Sequence, residues 1–341
     1  MKKLSVYFLL LLLACQTPQS EQESAQTGPE TVEATAVNEA SWQKVDMPAT
    51  PSARHENAFT KVDDKFYLIG GRGERPLDIY NPATNTWSQG ATPPLEMHHF
   101  QAVGYDGKLY VMGALTGGYP DEKPIPNIYI YDPATDEWTQ GPEIPEDRRR
   151  GAAGAFAYND KLYLVAGIQN GHTDGYVNWL DEYDPATNNW RQLPDAPHQR
   201  DHVQAAVADN KIVVAGGRTT SAATGQTLEL TVPEVDVYDF ETGKWTTLEN
   251  DIPTMRAGTT SVVLDDQLIV IGGESGSMEG AHPEVEALNL SSGEWTSLPT
   301  LLQGRHGTQA IVHDGKIYIA AGSANRGGGP ELNDMEVYQT E

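Results

Sequence analysis

Six of the seven tryptophans stand at positions 42, 87, 138, 190, 245 and 295, spaced 45 to 55 residues apart. A landmark at such a period constrains the chain more than any local propensity, because it marks one supersecondary unit copied along the sequence. Each tryptophan from 87 onward closes a similar phrase. Tyr80-Asn81-Pro82-Ala83-Thr84-Asn85-Thr86-Trp87 is followed by Tyr131-Asp132-Pro133-Ala134-Thr135-Asp136-Glu137-Trp138 and by Tyr183-Asp184-Pro185-Ala186-Thr187-Asn188-Asn189-Trp190. Looser copies end at Trp245 and Trp295. A strand, a tight turn carrying an early proline, and a second strand explain the phrase. A second phrase precedes it in every copy: a polar turn, then an apolar strand ending in two small residues. Asp64-Lys65-Phe66-Tyr67-Leu68-Ile69-Gly70-Gly71 is the first. The other small pairs are Gly113-Ala114, Ala166-Gly167, Gly216-Gly217, Gly272-Gly273 and Ala321-Gly322. Turns such as Asp106-Gly107 and Asp314-Gly315, set between apolar runs, are hairpin signals. A further short strand lies upstream of each turn, so each unit has four antiparallel strands, a to d.

These landmarks, recurring in order over residues 41–341, resemble the Kelch motif. The resemblance implies an all-β fold, a six-bladed β-propeller of four-stranded antiparallel blades. The chain ends in strand c of the sixth copy, at Tyr338, with no tryptophan phrase after it. Ser41-Trp42-Gln43-Lys44-Val45 supplies the missing strand d, so the N-terminal strand is predicted to close the last blade and remove its open edge.

The first 40 residues read differently. Lys2 and Lys3 precede an apolar run from Leu4 to Leu13, too short to span a bilayer as a helix, which ends at Ala14-Cys15. This resembles the bacterial lipobox. It implies a signal peptide over 1–14, acylation of Cys15, the chain's only cysteine, and a polar tether over 15–40 with too little apolar surface to order itself. Gln16, where aspartate would retain a lipoprotein at the inner membrane, points to the outer membrane. A bacterial envelope lipoprotein, touching the membrane only through its lipid anchor, is expected. The formal charge of −25 argues against a nucleic-acid partner, which needs a basic footprint.

Strand alternation puts the short a–b and c–d turns on one face and the d–a links and variable b–c loops on the other, where binding residues usually sit. Aligned on the a–b turns, Arg54, Met97, Arg150, Arg200, Arg256 and Arg305 form one column. His55, His98 and His306 fall in the next, and His99 and His202 in the third. In so acidic a chain, five arginines flanked by histidines predict a channel mouth for an anionic ligand: a glycan, a sugar acid or an envelope protein. The competing expectation pairs each arginine with blade carboxylates or carbonyls. The histidines are dispersed over blades without a close-spaced ligand pattern, so no metal and no cofactor is expected. The propeller is expected to be a monomer.

Two Kelch-like enzymes are similar in architecture. Galactose oxidase needs a Tyr–Cys cross-link, and Cys15 belongs to the leader. N-acetylneuraminate epimerase implies an acid/base carboxylate beside an arginine, for which Glu74, Asp174 and Glu274 are available loop acids, although no catalytic residue can be matched. A non-catalytic binding module is the leading expectation and a sugar isomerase or mutarotase the alternative. A carboxylate with a raised pKa beside a rim arginine would separate them.

Overall fold

The computed structural model describes residues 40–339. The leader, Cys15 and nearly all of the tether lie outside these residues. The described chain forms six four-stranded antiparallel sheets. The first five blades run over residues 57–90, 103–143, 154–193, 205–247 and 260–298. The sixth comprises Ala310–His313, Lys316–Ala320 and Met335–Gln339, completed by Ser41–Lys44. The N-terminal strand closes the last blade as predicted, with Trp42 opposite Tyr338 and Lys44 opposite Glu336. No helix among the described residues is long and apolar enough to cross a membrane.

The repeated phrase has a local logic. In the c–d turns Asn85, Asp136 and Asn188 adopt left-handed φ near 55°, which Asn and Asp tolerate better than most residues. Tyr80, Tyr131 and Tyr183 donate their hydroxyls to those same side chains at 2.7–2.8 Å. Each tyrosine ring also packs 5.1–5.3 Å from its blade's tryptophan. In two blades the indole N–H reaches the link that follows the preceding blade: Trp138 donates to the Ala91 carbonyl at 2.8 Å and Trp245 to that of Pro194 at 2.7 Å. The phrase thus sets a turn, fills a core and ties neighbouring blades. The small pairs serve packing at the hub. A Cβ on Gly216 (φ 74°) would sit 2.9 Å from the Arg256 carbonyl oxygen of the next blade.

Two devices close the hub. Glutamines just ahead of the innermost strands satisfy backbone groups beside or across from them, which otherwise would be open edges. Gln101 accepts from the amides of Ala155 and Ala205 and donates to the Ala205 carbonyl, while Gln309 exchanges two bonds with Ala102. Above them runs a closed ring of backbone hydrogen bonds. His99 donates to Glu56, Ala152 to His99, His202 to Ala152, Gly258 to His202 and Gly307 to Gly258, and Asn57 donates back to Gly307. All six carbonyl-bearing residues have left-handed φ, between 49° and 64°.

Candidate functional site

The arginine column does not line the channel mouth. Arg54, Arg150, Arg200, Arg256 and Arg305 are all 0–1% exposed, and each is paired with a carboxylate on strand c of its own blade. The partners are Asp78, Asp181, Asp236, Glu286 and Glu336. Each guanidinium also caps the end of strand b, donating to the carbonyl of Gly70, Ala166, Gly216, Gly272 or Ala321. Those carbonyls are freed because the small pair leaves the sheet there, and the arginine satisfies them. Burial lowers Arg54 and Arg150 to about 10, against the pull of Asp78 and Asp181. The predicted arginine-lined mouth is therefore corrected to a ring of structural clamps. In the second blade both halves of the clamp are replaced: Met97 stands in the arginine column, Tyr129 in the carboxylate column, and both are buried in one apolar core.

The histidines go elsewhere. The residues two positions after the arginine column are those of the backbone ring: Glu56, His99, Ala152, His202, Gly258 and Gly307. Left-handed φ at four non-glycine residues costs about 1–3 kcal/mol each and is characteristic of functional sites. The ring aims Glu56, His99 and His202 at the axis, while the small residues leave room. A Cβ on Gly307 would lie 2.9 Å from the Glu56 carboxyl carbon. His172, from the hairpin of Ile168–Asn170 with Asp174–Tyr176, swings in above them. The Nε2 atoms of His172 and His202 are 3.0 Å apart. His99, His172 and His202 each bring one ring nitrogen within 4.8 Å of the others, and all three are buried. Histidines that are dispersed over blades in the sequence are thus brought together, because closing the wheel joins residues far apart in the chain.

Each of these rings has a fixed outer partner. His202 Nδ1 bonds Asp201, whose carboxylate also accepts from the amide and hydroxyl of Thr220. His172 Nδ1 lies 3.0 Å from Glu122, which Arg72 holds from the other side at 2.8 Å. His99 Nδ1 lies 2.6 Å from His98 Nδ1, and His98 Nε2 lies 3.0 Å from the Gly117 carbonyl. Burial, reinforced by Arg218, pushes His202 down to about 4. Burial, reinforced by the other histidines, pushes His99 well below its usual value.

A cavity of about 270 Å³ opens above the histidines, lined by Glu56, Arg72, Tyr119, Arg218 and Glu274 among others. Arg218 and Glu274 each follow a small pair, and they bond across adjacent blades at 2.5 Å. Burial pushes the Glu274 carboxyl up, but His306 and Arg218 outweigh it and hold it well below the carboxylate range. Burial of Glu122 is likewise outweighed by His172 and Arg72. His306 lies 3.6 Å from Glu56 and 3.5 Å from Glu274. His55 stands aside, bonded to Glu331 at 2.9 Å. Glu74 and Asp174 are exposed.

Of the predicted residues, the structure thus joins His99 and His202 at the axis with His98 and His306 against them, and Glu274 serves in the cavity wall. Sequence reasoning missed His172, Glu56, Glu122, Arg72 and Arg218. The column after each small pair (Arg72, Leu115, Ile168, Arg218, Glu274, Ser323) was the signal for two of them. His172 and Glu122 come from loops with no equivalent in other blades.

Residues 23–282 match the family described as the Attractin/LZTR1 beta-propeller. Kelch-like protein terF of Aspergillus terreus is 28% identical over 287 residues, covering 79% of this chain and 61% of its own. Kelch-like protein 23 of Homo sapiens is 25% identical over 298 residues, covering 83% and 50%. The chain therefore spans half to about three-fifths of the length of these relatives. A solved structure titled "Structure of YjhT" shares the fold with a TM-score of 0.73 at 17% identity, over 85% of this chain and 96% of that one. Repeat, blade count, closure and these likenesses agree: the chain is a six-bladed Kelch propeller and belongs to the Attractin/LZTR1 beta-propeller family.

Proposed function

We propose that this propeller is a binding module, displayed at a bacterial envelope on acylated Cys15, that captures a polyhydroxylated ligand of monosaccharide size in its axial cavity. The cavity above the histidines carries this reading. Its volume of about 270 Å³ falls near the lower end of small-molecule sites. Its wall offers both donors and acceptors, with Arg72 and Arg218 beside Glu56 and Glu274, as sugar hydroxyls require. Tyr119, 57% exposed at the mouth, supplies an aromatic face for the apolar side of a sugar ring. Kelch-like relatives fit a propeller binding module. The Arg218–Glu274 pair favours binding over acid catalysis, because a general acid needs a raised pKa and Glu274 is held low.

A carbohydrate array of neutral sugars and sugar acids, probed with the purified full-length chain, tests the reading. Monosaccharide-sized ligands should be retained, and Arg72→Ala should weaken them about tenfold or more, the loss of one charge-assisted hydrogen bond. Failure of the folded chain to retain any carbohydrate, or undiminished capture by Arg72→Ala and Arg218→Ala, would overturn it.

A further inference from the structure

With the rings neutral, the hydrogen-bond partners around the three axial histidines set where their protons are. Asp201 and Glu122 are acceptors, each already receiving bonds from Thr220 or Arg72. His202 and His172 must therefore carry a proton on Nδ1 and present a bare Nε2 lone pair inward. His98 Nε2 faces the Gly117 carbonyl, which can only accept, so His98 Nδ1 is bare and accepts from Nδ1–H of His99. The third Nε2 is then bare as well. Three independent chains of partners set the same tautomer in three rings, from three different blades or loops. The result brings lone pairs face to face, with His172 and His202 only 3.0 Å apart and His99 Nε2 3.3 Å from a Glu56 oxygen. Neutral rings so placed repel unless a cation, either a metal ion or a shared proton, lies between the nitrogens.

Charge points the same way. Four acidic side chains, Asp201, Glu122, Glu274 and Glu56, are buried around the three histidines. The guanidiniums of Arg72 and Arg218 face them. Four buried acidic side chains thus face two guanidiniums, and a bound cation would offset charge that is costly to bury unbalanced.

We propose that His99, His172 and His202 hold one divalent first-row transition metal ion through their Nε2 atoms, with a further coordination position open to the axial cavity. Three imidazoles select such ions over Mg2+ and Ca2+, which prefer oxygen. A tetrahedral ion at about 2.0–2.1 Å from each nitrogen needs nitrogens ~3.4 Å apart. The existing separations, 3.0 Å for one pair and all within 4.8 Å, reach that by small ring rotations. Carboxylate partners on the outer nitrogens orient ligating histidines and raise their basicity. Arg72 and Thr220 in turn hold those carboxylates. The cavity supplies the entry path and the room for a ligand on the open position. The inference shares the pocket proposed for carbohydrate but is read without any sugar present, so either proposal can fail alone.

The test uses the purified full-length chain, stripped with chelator and titrated with Zn2+ by calorimetry and with Co2+ by visible absorption. One ion per chain is expected for each, with a cobalt d–d band of low coordination number, and no comparable uptake of Ca2+. His172→Ala and His202→Ala, shown folded by circular dichroism, should abolish uptake. His313→Ala, at the sheet edge and edge-to-face with Phe66, should keep it. Asp201→Asn should weaken affinity by about 10- to 100-fold while keeping the stoichiometry. No uptake by the folded wild-type chain, or full uptake by the His99→Ala/His202→Ala double variant, would overturn the proposal.

Discussion

A chain lacking residues 41–47 is expected to lose its cooperative thermal transition and to aggregate on expression. The segment contributes a whole strand, with Ser41, Trp42, Gln43 and Lys44 paired to Gln339, Tyr338, Val337 and Glu336, and the Val45 amide donates to Met335 at 2.9 Å. Trp42 is buried in the core between the last two blades, against Tyr338. Truncating such a residue alone costs about 3–5 kcal/mol, a large part of the ~5–15 kcal/mol that stabilises a typical domain. Removing the strand also exposes the Met335–Gln339 edge, a template for pairing between chains. Trp42→Ala is the milder version and should lower the melting temperature while preserving a single transition. Circular dichroism melts of both variants decide the matter. A truncated chain that melts as late and as sharply as the intact one would show that closure of the wheel is dispensable.

Arg256→Ala is expected to destabilise the fold by about 3–5 kcal/mol, the usual cost of leaving a buried carboxylate unpaired. The guanidinium bonds Glu286 at 2.5 Å and also caps the carbonyls of Gly272, Val270 and Thr254. The second blade supplies the control. Copying its solution as Arg256→Met/Glu286→Tyr removes the charge and its partner together, and should recover most of the loss, because an apolar pair of suitable volume can replace a buried ion pair. Midpoints of urea unfolding for the single and double variants measure both effects and their coupling. A loss below roughly 1 kcal/mol in the single variant would place it within the range of ordinary surface substitutions. That outcome would show that the buried pair does not hold the blade together.

The fold was legible because the same landmarks repeat: Trp87, Trp138 and Trp190 close one phrase, and the small pairs end one strand. The closing strand followed from counting. The site was legible only in part. His99 and His202 fell into a common column, and that column is the backbone ring itself. The arginines were visible too, but their chemistry was not. A column of like charges suggests a shared ligand until its partner column is seen. That column stood in the sequence, two residues before the phrase-opening Tyr80, Tyr183 and Tyr238 as Asp78, Asp181 and Asp236. His172 could not be placed at all. It sits on an irregular hairpin, where neither period nor register transfers from one blade to another. Its approach to His202 is set by the three-dimensional path of a single loop.

The hoop of peptide groups at the hub has no loose end from which to unravel, so each of its six stations is held by both neighbours. A side chain can be exchanged at one station while the other five keep their aim. Glutamate, histidine, alanine, histidine, glycine and glycine now occupy them. The same wheel could therefore pass from one ligand chemistry to another by single replacements at Ala152 or Gly258, with no redesign of the blades that carry them, whereas Gly307 is held small by Glu56.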